Sequence, residues 1–502
     1  MASVWSYVVF ATFFCLGSAT VGLSSVESNP LFVGLDEKAR NDLEYVHRRL
    51  QEFGHQEDSA TGYGNEGEAL ESSGTSKRPR TIPEINRPYS DYLYQGDITL
   101  TPDQVDQLLS SRSKRQAINV HNPNFSRWPT DAHGSIAYYM VGFNLTTKNV
   151  IRKAIKFWET HTCVTFQENG PERPIIRIQD SGEEGMCNSA IGKVNGDEQI
   201  INLSRYCLNF GLITHEVGHA LGFFHEHTRH DRDSFITIRE SNVLGDKPFF
   251  EINFKTHPFF ENDNQGIPFD YGSIMHYDRY AFALNPLESV MEPTQGYELF
   301  KETMGQSIKP SFLDLKMMNK LYQCEYKCQG RNTACHNGGF MNPKNCNECI
   351  CPWGFSAKDC WERDPGRNGT DSSKCGGNLW ADSTSRVLEA DVGVPIANDV
   401  LNELHDSCHW HIHTAEGKRV RIHIEKLESW ASRSSWYRYN AGCTVNNVEF
   451  KMAKDVSKTG YRLCISGNFT QTPEYLWSEG NRAIVSAYAR GVQRFRISYQ
   501  AI

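Results

Sequence analysis

The spacing of apolar residues divides the chain into stretches of different character. A largely apolar run over residues 4–16, followed by small Gly17 and Ala19, predicts a signal peptide over 1–19, although no Lys or Arg precedes the run. It is too short to span a bilayer comfortably, and no later apolar stretch reaches about eighteen residues. Val150, Ile151, Ala154, Ile155 and Trp158 then recur at helical spacing behind the cap candidate Thr147, predicting an amphipathic helix that ends near Cys163. A second helix is predicted over 212–221. A third, carrying Phe312, Leu315, Leu321 and Tyr322, starts at a cap formed by Ser311 and Asp314 and runs to Cys324. Short strands are predicted over 174–178 and 199–203. Beyond Cys375 the pattern becomes alternation. Val420, Ile422 and Ile424 alternate with Arg421, His423 and Glu425, and Phe495, Ile497 and Tyr499 with Arg494, Arg496 and Ser498, as in half-buried antiparallel strands. The fold class is therefore α+β.

Composition narrows this picture. The 502 residues exceed one ordinary core, so several domains are expected. A formal net charge of −8 offers no basic footprint for nucleic acid. Residues 62–80, rich in Gly, Glu, Ser and Thr, lack the large apolar side chains that a packed core needs, and order is expected to return at Asp91. Thr101-Pro102-Asp103-Gln104 has capping-box spacing ahead of Val105, Leu108 and Leu109, predicting a short helix. Fifteen cysteines are present, one of them, Cys15, in the signal peptide. The even remainder fits disulfides made in an oxidising compartment. Six crowd between Cys328 and Cys360 without the paired CxxC knuckles of a structural zinc site. Asn124, Asn144, Asn202, Asn368 and Asn468 begin glycosylation sequons, with Asn202 on a predicted strand.

The chemistry concentrates in His215-Glu216-Val217-Gly218-His219-Ala220-Leu221-Gly222-Phe223-Phe224-His225-Glu226. On a helix, His215 and His219 present two imidazoles to one point with Glu216 beside them. Gly222 can adopt a left-handed backbone that ends the helix and returns His225 as a third nitrogen ligand. Three ligands leave the fourth position of a Zn²⁺ ion, one per subunit, for water. The blander alternative is a helix that happens to carry surface histidines, which the glycine and third histidine at these offsets argue against. Ser273-Ile274-Met275-His276-Tyr277 follows, and HExxHxxGxxH with a later methionine turn is the metzincin pattern.

A Glu directly after the third His, together with SIMHY, resembles the astacin family of zinc endopeptidases, with matching motifs over 116–324. The resemblance implies a two-lobed metzincin-like protease domain. Tyr277 would be an additional zinc ligand that swings away as substrate binds and then stabilises the oxyanion, with Met275 as an apolar floor beneath the metal. Glu216 would be general base and then general acid as zinc-bound water attacks the scissile carbonyl. Tyr94-Gln95-Gly96-Asp97 resembles the aromatic-x-Gly-Asp string of astacin pro-segments, with Tyr in place of the usual Phe, which makes Asp97 a zinc-blocking switch in a propeptide spanning 20–115. Arg112-Ser113-Lys114-Arg115 matches the target of furin-like convertases. Cleavage between Arg115 and Gln116 would free an ammonium that folds inward to Glu226, each charge needing the other once buried. The family pairs Cys163 with Cys324 and Cys187 with Cys207.

Cys328, Cys335, Cys346, Cys349, Cys351 and Cys360 resemble an EGF-like module over 325–361, in which Cys328 would pair with Cys346, Cys335 with Cys349 and Cys351 with Cys360, although spacing alone allows fifteen connectivities. Residues 375–500, with Cys375 and Cys408 as one local pair and Cys443 and Cys464 as another, resemble a CUB β-sandwich. CUB modules generally bind proteins, some through Ca²⁺, and no calcium ligand is assigned here. The module order resembles that of nematode astacins. The expected protein is a secreted, extracellular zymogen of a zinc metalloendopeptidase acting on extracellular proteins, activated by a furin-like convertase and without a membrane span. The alternatives are a secreted scaffold whose protease domain is a relic and a zinc hydrolase of non-peptide bonds.

Overall fold

The computed structural model describes residues 36–56, 81–110, 126–130, 134–256, 264–368, 375–394, 405–430, 441–464 and 474–502. The predicted signal peptide, the 62–80 stretch, Arg115 and Gln116, Asn124 and Asn468 lie outside the described residues. Among the described residues, no helix is long and apolar enough to cross a membrane.

The N-terminal half is built on a six-stranded sheet in the order Ile98–Thr99, Asn188–Ala190, Glu198–Ser204, Ile175–Gly182, Ile136–Val141, Phe166–Glu168. The first strand comes from the stretch 20–115 that the sequence predicts to be a propeptide. It pairs in parallel with the edge strand, Ile98 opposite Ser189, and the Ser189 N–H donates to the Asp97 carbonyl at 3.0 Å. An unpaired sheet edge is a ready template for an added strand, so backbone hydrogen bonds fix the register of whatever precedes Ile98.

Helix Leu145–His161 packs against helix Phe210–Ala220, burying Ile151, Ala154 and Trp158. Its cap is Asn144 rather than the expected Thr147: the Asn144 side chain accepts from the Thr147 N–H at 2.9 Å, so Thr147 is the capped residue. The last helix of this half, Phe312–Leu321, has the expected reciprocal cap, with Asp314 N–H donating to Ser311 Oγ at 3.0 Å and Ser311 N–H to Asp314 Oδ2 at 2.7 Å. The box before helix Pro102–Ser110 also closes, from Thr101 N–H to Gln104 Oε1 at 3.0 Å and from Gln104 N–H to Thr101 Oγ1 at 3.2 Å.

Order in the N-terminal stretch begins earlier than the expected Asp91. Helix Glu37–Gln56 places Leu43, Val46 and Leu50 on one buried stripe, and a short helix Ile82–Asn86 follows Thr81. That first helix rests on Pro102–Ser110 and Lys247–Phe254, which supply the apolar surface its stripe needs.

Seven disulfides join described cysteines: Cys163–Cys324, Cys187–Cys207, Cys328–Cys346, Cys335–Cys349, Cys351–Cys360, Cys375–Cys408 and Cys443–Cys464. The three middle bridges staple two small hairpins, Phe340–Asn342 with Asn345–Ile350 and Phe355–Ser356 with Glu362–Arg363. The C-terminal region is a sandwich of a five-stranded and a four-stranded sheet around Trp410, Ile412, Val485, Phe495 and Ile497. Val420–Trp430 and Val492–Ala501 pair antiparallel there, as their alternation predicts, whereas Gly377–Trp380 runs parallel to Asp406–His413.

Candidate active site

Helix Phe210–Ala220 starts at Asn209, whose side chain accepts from the Leu212 N–H at 3.0 Å, and stops where Gly222 takes φ +109°. His215, Glu216 and His219 are buried on it, and the glycine turn brings His225 back. The three Nε2 atoms converge. Asp97 Oδ2 lies 3.0 Å from His215 Nε2 and 3.3 Å from His225 Nε2, and Asp97 Oδ1 lies 3.2 Å from His219 Nε2.

The partners of the opposite ring nitrogens determine what faces the centre. Nδ1 of His215 meets the Ile274 carbonyl at 2.7 Å, that of His219 the Phe223 carbonyl at 2.6 Å, and that of His225 Gln95 Oε1 at 3.0 Å. All three partners are acceptors, so each Nδ1 carries the proton and each Nε2 presents a lone pair. Burial lowers His219 and takes His225 down to about 3, which favours the neutral form of those two rings. Three lone pairs and a carboxylate at these separations repel unless a cation lies among them, and neutral imidazole with a second-sphere carbonyl is a zinc donor set. Their potential ligand atoms all lie within 4.8 Å of one another. The residues present therefore fit zinc.

Glu216 sits against this centre fully buried, and neither carboxylate oxygen has a hydrogen-bond partner among the described residues. Burial first, and then the nearby Asp97 charge, push it well above the usual carboxylate range. An orphaned buried carboxylate is costly unless something is meant to meet it.

The turn at 273–277 closes the site from below. Ser273 Oγ donates to Asp314 Oδ1 at 2.6 Å and the Ile274 N–H to Asp314 Oδ2 at 2.8 Å, so the cap residue of the last helix also anchors the turn. Met275 lies under the histidine helix; a Cβ on Gly218 would meet its sulfur at 3.0 Å. The Tyr277 ring stands 4.2 Å from that of His225, and its hydroxyl donates to the Gln95 carbonyl at 2.8 Å. Gly96 at φ +87° makes this approach sterically feasible. A Cβ there would come within 2.5 Å of Phe282 and 3.2 Å of the Tyr277 oxygen.

Glu226 is half-buried beside Arg229, with Nη1 to Oε1 at 3.1 Å, and accepts the Asp270 N–H at 2.8 Å. Burial nonetheless raises its carboxyl to about 8, against the lowering pull of Arg229. It borders a cavity of about 60 Å³ shared with Phe224, Ile267, Met275, Asp314 and Leu321. The sequence reading missed Gln95, Phe282, Arg229 and the second role of Asp314. Asp314 carried only a cap signal, and the rest act through contacts that leave no local pattern. Of the sequons described, Asn144 is exposed, while the Asn202 amide is tied to Gln179 and Asn188 at 2.6 and 3.0 Å. Asn368 Oδ1 accepts the Gly393 N–H at 2.8 Å.

Residues 120–323 match the model of the peptidase family described as Astacin. Zinc metalloproteinase nas-27 of Caenorhabditis elegans is 32% identical over 419 residues, covering 82% of this chain and 90% of the relative. Zinc metalloproteinase nas-23 of the same organism is 32% identical over 432 residues, covering 83% and 73%. Among solved structures, high choriolytic enzyme 1, a hatching enzyme zinc-protease from Oryzias latipes, is 30% identical and covers 39% of this chain and 94% of its own, with a TM-score of 0.35. The chain belongs to the astacin family of zinc metalloproteinases.

Proposed function

We propose that this is the secreted, latent form of a zinc endopeptidase whose site is His215, His219, His225 and Glu216, latched by Asp97. The observation that carries the reading is the convergence of three lone-pair nitrogens on the Asp97 carboxylate. When bound, one zinc ion per chain supplies a Lewis acid for the scissile carbonyl and lowers the pKa of a bound water to about 7. His215, His219 and His225 hold it, each oriented by its Nδ1 partner. Glu216, whose oxygens have no hydrogen-bond partner among the described residues, takes the proton of the attacking water and delivers it to the leaving amine. Tyr277, relieved of the Gln95 carbonyl, turns its hydroxyl to the developing oxyanion. The substrates are extracellular polypeptides.

Asp97 takes the place of that water and is held there by the added strand at Ile98–Thr99. A furin-like convertase cutting between Arg115 and Gln116 detaches the latch. The new ammonium then enters the cavity at Glu226, where it joins Arg229 as a second positive charge beside the carboxylate, which the ammonium needs as its own partner. The seven bridges support an oxidising, extracellular setting. The EGF-like stretch 325–361 and the CUB-type stretch 375–500 follow the protease domain 116–324.

The test is incubation of the matured protein with a denatured protein, with and without chelator, beside Glu216→Ala. Chelator-sensitive cleavage by the native chain and none by the variant supports the reading. A native chain that cleaves nothing favours the scaffold alternative, in which the C-terminal modules do the work.

A further inference from the structure

The C-terminal sandwich is packed directly into the segment that leads to the methionine turn. Thr459 Oγ1 donates to Asp270 Oδ2 at 3.1 Å, both groups buried, and its side chain fills the space left by Gly272, where a Cβ would meet Thr459 Cγ2 at 2.3 Å. Arg462 reaches the same segment through a second route. Its Nη1 donates to Gln306 Oε1 at 3.1 Å, while Gln306 Nε2 donates to the Gly272 carbonyl at 2.8 Å. Arg462 N–H also donates to Thr303 Oγ1 at 3.0 Å. The sandwich holds Arg462 in place with Glu449, 3.3 Å away, which also accepts the Gly460 N–H at 2.8 Å.

From Asp270 the chain of contacts runs into the site. Asp270 Oδ1 accepts the Gly272 N–H at 3.0 Å, and its own N–H is bound by Glu226. Ser273 N–H returns to the Asp270 carbonyl at 3.0 Å. One residue on, the Ile274 carbonyl orients His215, and the Met275 carbonyl accepts the Glu226 N–H at 3.0 Å. Asp270, Asp314 and Glu226 line one cavity, the two aspartates buried and Glu226 half-buried. A donor from the sandwich answers one of the three. Without it, a buried carboxylate oxygen loses a partner at the point where the turn begins.

We propose that Thr459 and Arg462 are positioning residues of the peptidase site, and that the sandwich is part of the catalytic unit. The proposal rests on the zinc-peptidase reading for its kinetic readout alone. The experiment compares matured full-length Thr459→Val, Arg462→Met and Thr459→Ser with the native chain. Arg496→Ala is the control, because Arg496 pairs with Glu389 and Glu425 at an exposed sheet surface of the same sandwich. Peptide cleavage gives kcat and KM separately, and hydrogen exchange of the 270–277 segment gives its order independently of activity.

Thr459→Val is expected to lower kcat about tenfold with KM within about twofold, and to speed exchange at Ile274 and Met275 by a similar factor. Thr459→Ser restores both and Arg496→Ala changes neither. Unaltered kcat and exchange in folded Thr459→Val and Arg462→Met overturn the proposal, as does an equal loss in Arg496→Ala, which reports general destabilisation. A native chain without activity counts against the peptidase reading instead, and the exchange comparison still decides the positioning.

Discussion

Gly96→Ala in an uncleaved chain, with Arg115→Ala to prevent processing, tests the latch where its geometry is tightest. Gly96 holds φ +87°, and a methyl group there would press to 2.5 Å from the buried Phe282 ring. Left-handed backbone costs an L-residue about 1–2 kcal/mol. Forcing Phe282 aside adds about 1–3 kcal/mol, and partial yielding of the ring keeps the whole near 2–4 kcal/mol. Since about 1.36 kcal/mol is tenfold in population, the fraction of chains with Asp97 withdrawn should rise about 30- to 900-fold. The assay is the initial rate of cleavage of a quenched-fluorescence peptide by the uncleaved protein. Gly182→Ala is the control: it has φ +85° but nothing within 4 Å, so it carries backbone strain with no link to Asp97. A folded Gly96→Ala chain no more active than Gly182→Ala would refute the reasoning.

Three further outcomes follow from the same geometry. Glu216→Gln should lower kcat by about 10²–10⁴ while leaving zinc content and thermal stability at native levels, since its oxygens have no partners to lose; a metal-binding defect would point to a ligand role. His405, His409 and His411 of the sandwich are each taken down to about 3, chiefly by burial, below the ordinary 6.5. Between those values the unfolded chain binds the additional protons, so stability is complete above pH 6.5 and falls on acidification, by up to roughly 1.4 kcal/mol per pH unit per histidine. Urea unfolding at pH 7 and pH 5 should show this loss, and His409→Gln should reduce it; an unchanged pH dependence contradicts the assignment. Removing Cys163–Cys324, which closes a separation of 161 residues, should cost about 5 kcal/mol on the chain-entropy account, read as the urea midpoint of the double Ala variant.

The residues that converge at the candidate site are legible in the sequence because their geometry is local. An i, i+4 pair, an adjacent carboxylate and a glycine turn specify the converging nitrogens without knowledge of the rest of the fold. Alternation likewise reveals Val420–Trp430 and Val492–Ala501, since one face of each strand is core. Helix Glu37–Gln56 is harder to recognise, because its narrow stripe of Leu43, Val46 and Leu50 lies among charged residues and gains its meaning from surfaces far along the chain. Asn144 reads as a sequon while serving as a cap, an ambiguity inherent in Asn before Leu-Thr. Contacts such as Thr459 with Asp270 or Asp314 with the methionine turn join distant segments and impose no periodicity that a reader of the sequence could detect.

The most direct measurement is X-ray absorption at the zinc edge on the matured protein, alongside metal analysis of His219→Ala. One zinc per chain, with a shell of imidazole nitrogen and oxygen at about 2.0–2.1 Å that His219→Ala abolishes, is the predicted result. A chain that is metal-free and does not take up zinc, or a shell of sulfur at about 2.3 Å, would contradict it.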